Sequence, residues 1–210
     1  MIIDFIVEPI FGVNSYIVKD NRHCILIDPI GIDALNKKIS NCIIDFIAVT
    51  HEHFDHIRDI NCLKQIYDKP IICGEKAKKG LANPSKNMSQ YLEYLVTAIP
   101  FGNHEIAFKE YSCDADLIVK DNQTIKWQGH IILFKETPGH SRGSISILID
   151  NKYLFSGDTI FKDYQTATKL PGGSTKDFRQ ITEPWLNSLS QNVMVYPGHT
   201  EPFKLLERFK

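Results

Sequence analysis

Three histidines and one aspartate crowd into six consecutive positions of this chain. The segment reads Thr-His-Glu-His-Phe-Asp-His from Thr50 to His56, and it directly follows an apolar run. Neutral imidazole is a common protein ligand for zinc-like ions, and carboxylates complete such sites. Because an extended segment that turns into a helix can point all four side chains into one small volume, the spacing predicts a metal site and indicates two ions rather than one.

Three further candidate ligands each follow a strand-like run and adjoin a glycine. They are His140 in Thr-Pro-Gly-His-Ser, Asp158 in Ser-Gly-Asp-Thr and His199 in Tyr-Pro-Gly-His-Thr. The glycine lets the backbone turn tightly, and ligands at the ends of several strands can converge on one edge of a packed pair of sheets. We therefore expect these side chains to join the first cluster. The other histidines have no such context and are interpreted as structural or exposed: His23, His104 and His130.

The elements that must position these ligands are short apolar runs separated by turn residues and helical stretches. We expect sheets packed face to face with helices outside, in a single domain over residues 1–210. The loop-rich segment 76–103 is interpreted as a substrate lid or, as is more usual, a variable connection. Strands are predicted at 2–7, 15–18, 24–28, 44–50, 117–119, 131–135, 144–149, 153–155 and 193–196. Helices are predicted at 33–43, 57–67, 203–209 and 174–189, the last with Ser174 as its N-cap.

The composition is that of an ordinary globular protein, and it disfavours several classes of partner. With 210 residues and a formal net charge of −1, the chain gives no electrostatic reason to expect nucleic acid or an anionic membrane. No apolar stretch reaches the roughly 18–20 residues of a transmembrane helix. The lysines of segment 76–79 are interpreted as a solvated helix face rather than a basic patch. A small-molecule substrate is the expected partner.

Cysteine usage and the first residues indicate the compartment. The five cysteines are widely spaced and form no Cys-x-x-Cys pair, which is simplest to explain as free thiols in a reducing cytosol. The chain begins Met-Ile-Ile-Asp-Phe, without a basic leader or a small-residue cleavage site, so we expect no signal peptide. The protein is therefore predicted to be cytoplasmic.

The order of the candidate ligands resembles that of the metallo-β-lactamase superfamily, and the resemblance covers nearly the whole chain. Within the superfamily the chain is most similar to the small glyoxalase II-like hydrolases, with segments 14–16, 83–89, 157–161 and 171–174 as further signs. The resemblance implies an α/β fold, the αβ/βα four-layer sandwich of two mixed β-sheets with outer helices and the metals at one edge. The residues that carry it are His51, His53, Asp55, His56, His140, Asp158 and His199.

The resemblance also implies a mechanism and a division of the ligands between two ions. A hydroxide shared by the ions would attack a small thioester or ester, with Asp55 as the catalytic residue that orients it. Zinc is the expected metal, with iron or manganese as alternatives because histidine and aspartate do not discriminate sharply among these ions. Glu52 is not expected to be a ligand, since its side chain should point away from its neighbours. One ion would be bound by His51, His53 and His140 and the other by Asp55, His56 and His199, with Asp158 bridging both.

Four departures from the family pattern narrow the function. Asp158 stands where the familiar zinc β-lactamases carry cysteine, which disfavours antibiotic hydrolysis. Phe161 stands where related lactonases carry tyrosine, which removes a hydroxyl that could donate a proton. The Gly-Arg-x-Asp of persulfide dioxygenase-like relatives is absent at 166–169, which disfavours dioxygenase activity. The chain ends about eleven residues after His199, without the helical domain that would bind glutathione, so S-lactoylglutathione specificity is not expected.

Four residues near the ligand motifs are candidates for shaping the substrate site: Phe11, Phe161, Lys162 and Tyr164. Lys162 could attract a carboxylate or phosphate, although an exposed lysine is the commoner case. The glycine pair before Ser174 could seat an anion at a helix N-terminus, although such pairs usually only turn the chain. Two other functions on this fold are kept as alternatives, an iron-dependent persulfide dioxygenase-like oxidoreductase and a phosphodiesterase. A non-catalytic scaffold would be expected to lack one or more ligands, and all seven are present.

Overall fold

Two six-stranded β-sheets form the framework of the protein in the computed structural model, which describes residues 1–92 and 109–208. The strands of the first sheet follow chain order: β1 (Ile2–Val7), β2 (Asn14–Asp20), β3 (His23–Ile27), β4 (Ile43–Ala48), β5 (Ile71–Gly74) and β6 (Leu117–Val119). The pairs β1–β2 and β2–β3 are antiparallel, whereas β3 to β6 pair parallel, so this sheet is mixed.

The second sheet is also mixed, and its strands lie in reverse chain order. From one edge to the other they are β12 (Phe203–Lys204), β11 (Met194–Pro197), β10 (Tyr153–Gly157), β9 (Ile145–Ile149), β8 (His130–Glu136) and β7 (Gln123–Trp127). Neighbouring strands pair antiparallel except β10 and β11, which are parallel.

Helices cover the outer face of each sheet. The first half contributes α1 (Ile32–Ile39), α2 (Phe54–Ile57), α3 (Ile60–Tyr67) and α4 (Glu75–Leu81). The second half contributes one helical stretch, made of α5 (Thr175–Asp177), a π-helical segment (Phe178–Thr182) and α6 (Glu183–Ser188). Ser174 caps this stretch as predicted, because its Oγ accepts a hydrogen bond of 3.1 Å from the backbone N–H of Asp177. None of the helices described has the length and apolar character that a membrane crossing requires.

Among the described residues, the apolar core consists of three clusters, because side chains alternate between the two faces of each strand. Consecutive side chains of a strand point to opposite faces of a sheet. In β3, Cys24 and Leu26 pack in a cluster with α1, α3 and α4, whereas Ile25 and Ile27 pack against β8, β9 and β10 of the other sheet. A third cluster joins the outer face of the second sheet to α6. The order is therefore helices, sheet, sheet, helices, and the predicted αβ/βα sandwich is confirmed.

The predicted closing helix at 203–209 is wrong. Phe203 and Lys204 instead pair antiparallel with β11 as the edge strand β12, and a 3-10 turn follows at Leu205–Glu207. Phe203 and Leu205 both lie in the third apolar cluster, and this spacing of two residues is the one that places side chains on the same face of a strand. Residue 209 lies outside the described residues.

Other boundaries also differ from the sequence prediction. Helix α1 ends at Ile39 rather than 43 because Ile43 already pairs with β3, and the predicted helix 57–67 is divided into α2 and α3. The segment expected to be loop-rich begins with α4, on which the lysines of 76–79 lie as predicted, and strands β5 and β7 were missed. Residues 93–103, on which the interpretation as a lid depends, lie outside the described residues.

Truncation of Phe155 should test the packing between the sheets. Its side chain is fully buried, its ring stacks on Tyr196 at 4.9 Å, and its centroid is 5.2 Å from that of Tyr16. Phe155→Ala should lower the free energy of unfolding in urea by about 3–5 kcal/mol. The control Ile131→Ala, on a side chain that is 53% exposed, should cost about 1 kcal/mol or less. Equal costs for the two variants would contradict this packing.

Candidate metal centre

The candidate ligands meet at one edge of the sandwich because each lies near the end of a strand. His51 follows β4, Asp158 comes directly after β10, and His199 follows β11. His140 lies in the loop that joins β8 to β9. The chain is extended at His53, with φ −65° and ψ 143°, and becomes helical in α2. This turn from extended to helical backbone is what the spacing of the first cluster predicted.

Three buried imidazoles form the first ligand group. One ring nitrogen from each of His51, His53 and His140 lies within 4.8 Å of the other two. His140 Nε2 and His53 Nδ1 are 2.9 Å apart. His140 Nδ1 faces the carbonyl oxygen of Ala167 at 3.1 Å, and His51 Nδ1 faces the hydroxyl of Thr50 at 3.1 Å. Those contacts hold the rings so that their other nitrogens point at a common volume.

The second group consists of Asp55, His56 and His199, whose ligand atoms also lie within 4.8 Å of one another. Asp55 Oδ2 is 3.3 Å from His199 Nε2 and 3.7 Å from His56 Nε2. His56 is completely buried, whereas Asp55 and His199 are half-buried. This group therefore reaches the surface, while the first group lies deeper.

Asp158 lies between the two groups. Its Oδ2 is 3.5 Å from His140 Nε2 and 3.5 Å from His199 Nε2, and its Oδ1 is 3.4 Å from His56 Nε2. A single carboxylate thus contacts one member of the first group and two members of the second. The structure brings together all seven side chains proposed as ligands from the sequence.

Asp28 is a residue of this site that the sequence prediction missed. Its Oδ2 accepts hydrogen bonds from His56 Nδ1 at 2.9 Å and from the Thr50 hydroxyl at 2.6 Å, and its Oδ1 accepts one of 2.7 Å from the Thr50 N–H. A ligand atom of Asp28 also lies within 4.8 Å of His51 and His56. Because both its oxygens already accept these hydrogen bonds, we assign Asp28 to fixing the tautomer and orientation of His56. An acidic residue directly after an apolar strand, the signal that identified Asp158, could have revealed it.

Two glycines allow the ligand segments to approach each other closely. Gly157 has a φ of +48°, and a Cβ atom there would overlap the hydroxyl of Thr50. A Cβ atom on Gly198 would overlap Oδ1 of Asp158. Any larger residue at either position would therefore displace a ligand or its support.

The electrostatic environment of the first group keeps its imidazoles neutral. Burial lowers the pKa of His51 well below its usual value, and the neighbouring histidines lower it further. Burial likewise lowers the pKa of His53 to about 3, and it lowers that of His140. Neutral imidazoles are the form that binds a metal ion, so this group is ready for one at neutral pH.

In the second group, neighbouring carboxylates raise the pKa of the histidines instead of leaving burial to lower it. Burial would lower the pKa of His56, but Asp55, Asp158 and Asp28 together raise it well above its usual value. Burial is likewise outweighed at His199, where Asp158 and Asp55 raise the pKa. Burial would raise the pKa of both ligand carboxyls, yet His56 and His199 lower that of Asp55 to about 2 and that of Asp158 well below its usual range. This group is a network of ion pairs in the absence of a cation.

Unsatisfied buried atoms test whether these residues fit a metal. Within the described part of the chain, Nε2 of His51, His53 and His56 and Oδ1 of Asp158 are buried and have no hydrogen-bond partner. Leaving buried polar atoms without a partner costs free energy, and native structures contain few of them. Three of these atoms, Nε2 of His51, Nε2 of His56 and Oδ1 of Asp158, are good donors to a divalent cation and fit a metal centre. His53 presents its other nitrogen, Nδ1, to the first group, 2.9 Å from His140 Nε2.

The four residues proposed to shape the substrate site differ in how close they lie to the ligands. Phe161 lies beside the ligands, with its ring centroid 6.5 Å from that of His199, and Phe11 packs edge-on against Phe54 of α2 at 6.3 Å. The ammonium of Lys162 is 3.2 Å from a carboxylate oxygen of Glu207, and Tyr164 is 63% exposed. The assignment of these four residues to substrate binding stays a prediction.

Glu52 points away from the ligands that flank it, as predicted. It is buried, and its Oε2 accepts a hydrogen bond of 2.8 Å from the hydroxyl of Ser141, the residue after His140. Burial raises the pKa of this carboxyl. Its side chain covers Gly80 of α4, where a Cβ atom would lie 2.5 Å from Glu52 Cγ. Glu52 therefore connects its own ligand segment to the His140 loop through Ser141, and it packs against α4 at Gly80.

The family model of the metallo-beta-lactamase superfamily matches residues 9–199. The chain belongs to this superfamily. It is 27% identical over 198 residues to the probable metallo-hydrolase M6_Spy0554 of Streptococcus pyogenes, which covers 92% of this chain and 81% of that protein. It is 29% identical over 190 residues to the probable polyketide biosynthesis zinc-dependent hydrolase BaeB of Bacillus velezensis, covering 88% of this chain and 72% of that protein.

Solved structures of the superfamily share the fold. BLEG-1 B3 metallo-beta-lactamase superposes with a TM-score of 0.79 at 22% identity, covering 98% of this chain and 95% of that one. TTHA1623 in a di-iron-bound form superposes with a TM-score of 0.76 at 20% identity, covering 97% and 96%. The metallo-hydrolase relatives and the groups of histidine and aspartate ligands together make this chain a metal-dependent hydrolase that binds divalent metal.

Asp28→Asn should weaken metal binding because His56 loses its charged hydrogen-bond acceptor. We expect the affinity for zinc, measured by competition with a chelator, to fall about 10- to 100-fold. The matched control is Asp45→Asn, which alters a similar pair away from the site, where Asp45 lies 2.9 Å from His23 Nδ1. Unchanged zinc affinity in Asp28→Asn would show that Asp28 does not support the ligands.

The two groups should carry different charges in the metal-free protein. A raised pKa means that His56 and His199 hold their protons as the pH rises through 6.5, whereas the lowered pKa of His51 and His53 means that they stay neutral as it falls to 5. Nitrogen-15 chemical shifts of the imidazoles, measured between pH 5 and pH 7, should show both forms side by side. His199→Gln should remove one imidazolium signal. Titration of all these rings together near pH 6.5 would contradict the described electrostatics.

Proposed function

We propose that this protein hydrolyses small thioesters with two divalent ions, and that the ions are zinc. The observation that carries the proposal is the position of Asp158, whose oxygens lie within 3.5 Å of ligand nitrogens from both groups. A carboxylate placed between the groups could be shared by two ions, each of which would be held by one group. Zinc is favoured by the zinc-dependent relative BaeB, and the di-iron form of TTHA1623 makes iron the alternative to test. The first group would hold one ion and the second group the other, with Asp158 between them.

Asp55 is the residue proposed to handle the nucleophilic water. When bound, divalent ions of this kind lower the pKa of water toward neutrality and polarise a carbonyl oxygen. His56 and His199 lower the pKa of Asp55 to about 2, so its carboxylate is ionised at neutral pH. It is half-buried at the mouth of the site, where it can accept a hydrogen bond from water and orient it toward a bound carbonyl.

The leaving group explains the choice of a thioester. A thiol has a pKa of about 8.5, so a thiolate can depart near neutral pH without first receiving a proton, whereas an alkoxide needs a general acid. Phe161, whose ring lies 6.5 Å from that of His199, offers no hydroxyl for that purpose. Tyr164 is 63% exposed, so its hydroxyl is poorly placed to supply the proton instead. The site is therefore better suited to thioesters than to oxoesters or lactones.

The acyl part of the substrate is proposed to lie against Phe11 and Phe161. Both aromatic side chains are half-buried near the second ligand group, and a Cβ atom on Gly12 would lie 4.0 Å from His199 Nδ1. Burial of a short acyl chain against such rings is favourable in proportion to the apolar area removed from water. The proposed partner is accordingly a small molecule, not nucleic acid or a membrane.

A matched pair of substrates tests the proposal. Zinc-loaded protein should hydrolyse an acyl thioester with a higher kcat/KM than the oxoester of the same acyl group. Asp55→Asn should lower kcat for the thioester by about 10²- to 10⁴-fold, since Asp55 is both a ligand and the orienting base. Asp33→Asn, the same change at an exposed position of α1, serves as the control and should retain activity.

Three results would contradict the proposal. They are full thioesterase activity in Asp55→Asn, a clear preference for the oxoester, and the absence of thioester hydrolysis by metal-replete protein. Oxygen consumption on a persulfide by iron-loaded protein, or cleavage of a phosphodiester, would replace thioester hydrolysis with one of the alternatives.

Phe161→Tyr tests the leaving-group argument separately. The added hydroxyl beside His199 should raise kcat/KM for the oxoester while leaving that for the thioester within about twofold, because only the alkoxide needs a proton. Phe161→Leu removes the ring without adding a hydroxyl and controls for altered packing. A parallel rise for both substrates in Phe161→Tyr would show that proton donation is not what limits the oxoester.

A further inference from the structure

A cationic cleft of about 640 Å³ lies against the outer side of the ligand segments. Its walls are the exposed face of α4, the turn that follows this helix, and the loops that contain residues 142 and 171–172. The volume falls in the range of small-molecule pockets, about 300–1,000 Å³. Among residues 1–92 and 109–208, four cations and two carboxylates line it: Lys76, Lys79, Lys86, Arg142, Glu52 and Glu75.

Most of the cations in the cleft are free to bind a ligand. Lys76 is held in an ion pair with Glu136, which is not part of the lining. Lys79, Lys86 and Arg142 are exposed, and none of the three forms an ion pair with a residue in 1–92 or 109–208. Three unpaired cations around one concavity raise the local concentration of anions.

The two carboxylates do not neutralise these cations equally. Glu52 is 4% exposed, and its Oε2 is turned inward to the hydroxyl of Ser141. Glu75 is exposed at the start of α4. Glu75 therefore offsets the cations from the solvent side, whereas Glu52, on which the charge of Lys86 also acts, lies beneath them.

The cleft adjoins the deeper ligand group. Arg142 is two residues from His140, so their Cα atoms are at most about 7.6 Å apart. A Cβ atom on Gly172 would lie 3.8 Å from the backbone nitrogen of Arg142, and one on Gly143 would overlap the backbone of Ala77 in α4. Close packing of this kind makes the cleft a fixed neighbour of the ligand loop.

The surroundings of the metal centre therefore differ on its two sides. The aromatic rings of Phe11 and Phe161 flank the side of His199, whereas the cationic cleft flanks the side of His140. Asp158 lies between those histidines. The proposed substrate also has two different halves, an acyl chain and a thiol, and these two flanks differ in the chemistry that they can bind.

We propose that this cleft binds an anionic group, a phosphate or a carboxylate, at the thiol end of the substrate, and so selects anionic thiols as the leaving half of the thioester. The inference rests on the proposed thioester hydrolysis. Arg142 supplies a planar fork that suits either group, and Lys79 and Lys86 supply point charges beside it. The acyl half then lies against the aromatic side.

Two pairs of acetyl thioesters, each differing in one charge, test this selection. The phosphate pair is S-acetyl 4′-phosphopantetheine and S-acetyl pantetheine, and the carboxylate pair is S-acetyl 3-mercaptopropionate and its amide. At low salt, kcat/KM should be about tenfold higher for the anionic member of at least one pair. The pair that shows the preference identifies the anion, and the preference should decline as ionic strength rises.

Charge-neutralising variants locate the preference in the cleft. The double variant Lys79→Gln and Lys86→Gln should lower the ratio of anionic to neutral kcat/KM about tenfold, and Glu75→Gln should raise it. The matched control is Lys37→Gln with Lys126→Gln, two exposed lysines outside the cleft, which should leave the ratio unchanged. Urea unfolding of each variant checks that folding is preserved. Ratios near one for both pairs in the parent protein, or an unchanged ratio in the Lys79 and Lys86 variant, would overturn the proposal.

A binding measurement separates this inference from the proposed reaction. S-methyl 4′-phosphopantetheine and S-methyl 3-mercaptopropionate are thioethers that cannot be hydrolysed, and their binding can be followed by calorimetry. At least one should bind the parent protein more tightly than the Lys79 and Lys86 double variant. If no thioester is hydrolysed but this difference is found, the reaction is wrong and the anion site stands. If thioesters are hydrolysed but neither thioether binds through the cleft, the anion site is wrong and the reaction stands.

Discussion

The buried convergence of five imidazoles and two carboxylates is the constraint on which the rest of this structure depends. Without a cation, the first group is held against burial and mutual repulsion, which lower the pKa of His51 well below its usual value. In the second group, ion pairs between the carboxylates and the histidines offset the cost of burial. Four buried nitrogen and oxygen atoms of the ligand side chains still have no hydrogen-bond partner in the described part of the chain. A rigid framework must hold such an arrangement together, and a bound cation would offset part of its cost.

The two sheets hold the ligands in place because the ligand segments begin at strand ends and their backbones pack closely. Strands β4, β10 and β11 end beside one another, and Gly157 and Gly198 let the following segments approach more closely than a side chain would permit. Asp28 and Glu52 add buried hydrogen bonds on either side of the first cluster. Because these supports come from both sheets and from α4, the site depends on the whole sandwich.

Much of this could be predicted from the sequence, because ligand type and strand ends are local signals. The ligand motifs from His51 to His199 each stand at such a place, and the structure brings them together. Asp28 was missed because a lone aspartate before a proline also suits an ordinary turn. The segment at Phe203 was misassigned because a short apolar run suits a helix or a strand, and the free edge of β11 decides between them. Lys79 belongs to a lysine run that also suits a solvated helix face, and Lys86 and Arg142 lie in other segments, so only the fold reveals that they line one cleft.

Reaction and selectivity are divided between different parts of the molecule. In the proposed reaction, the ligand cluster lets water attack a polarised carbonyl but does not by itself select the substrate. We propose that Phe161 beside His199 favours a leaving group that needs no proton, and that the cleft beside the His140 loop favours one that carries charge. Substrate choice is thus attributed to residues around the ligands, which can change without disturbing the buried centre.

Anomalous diffraction from a crystal of the zinc-loaded protein would show whether the two groups hold two ions with Asp158 between them. We expect two anomalous peaks roughly 3.5–4 Å apart, one at His51, His53 and His140 and the other at Asp55, His56 and His199, both within bonding distance of Asp158. A single peak among Asp28, His51 and His56, or no peak at this edge of the sandwich, would rule out this two-ion centre.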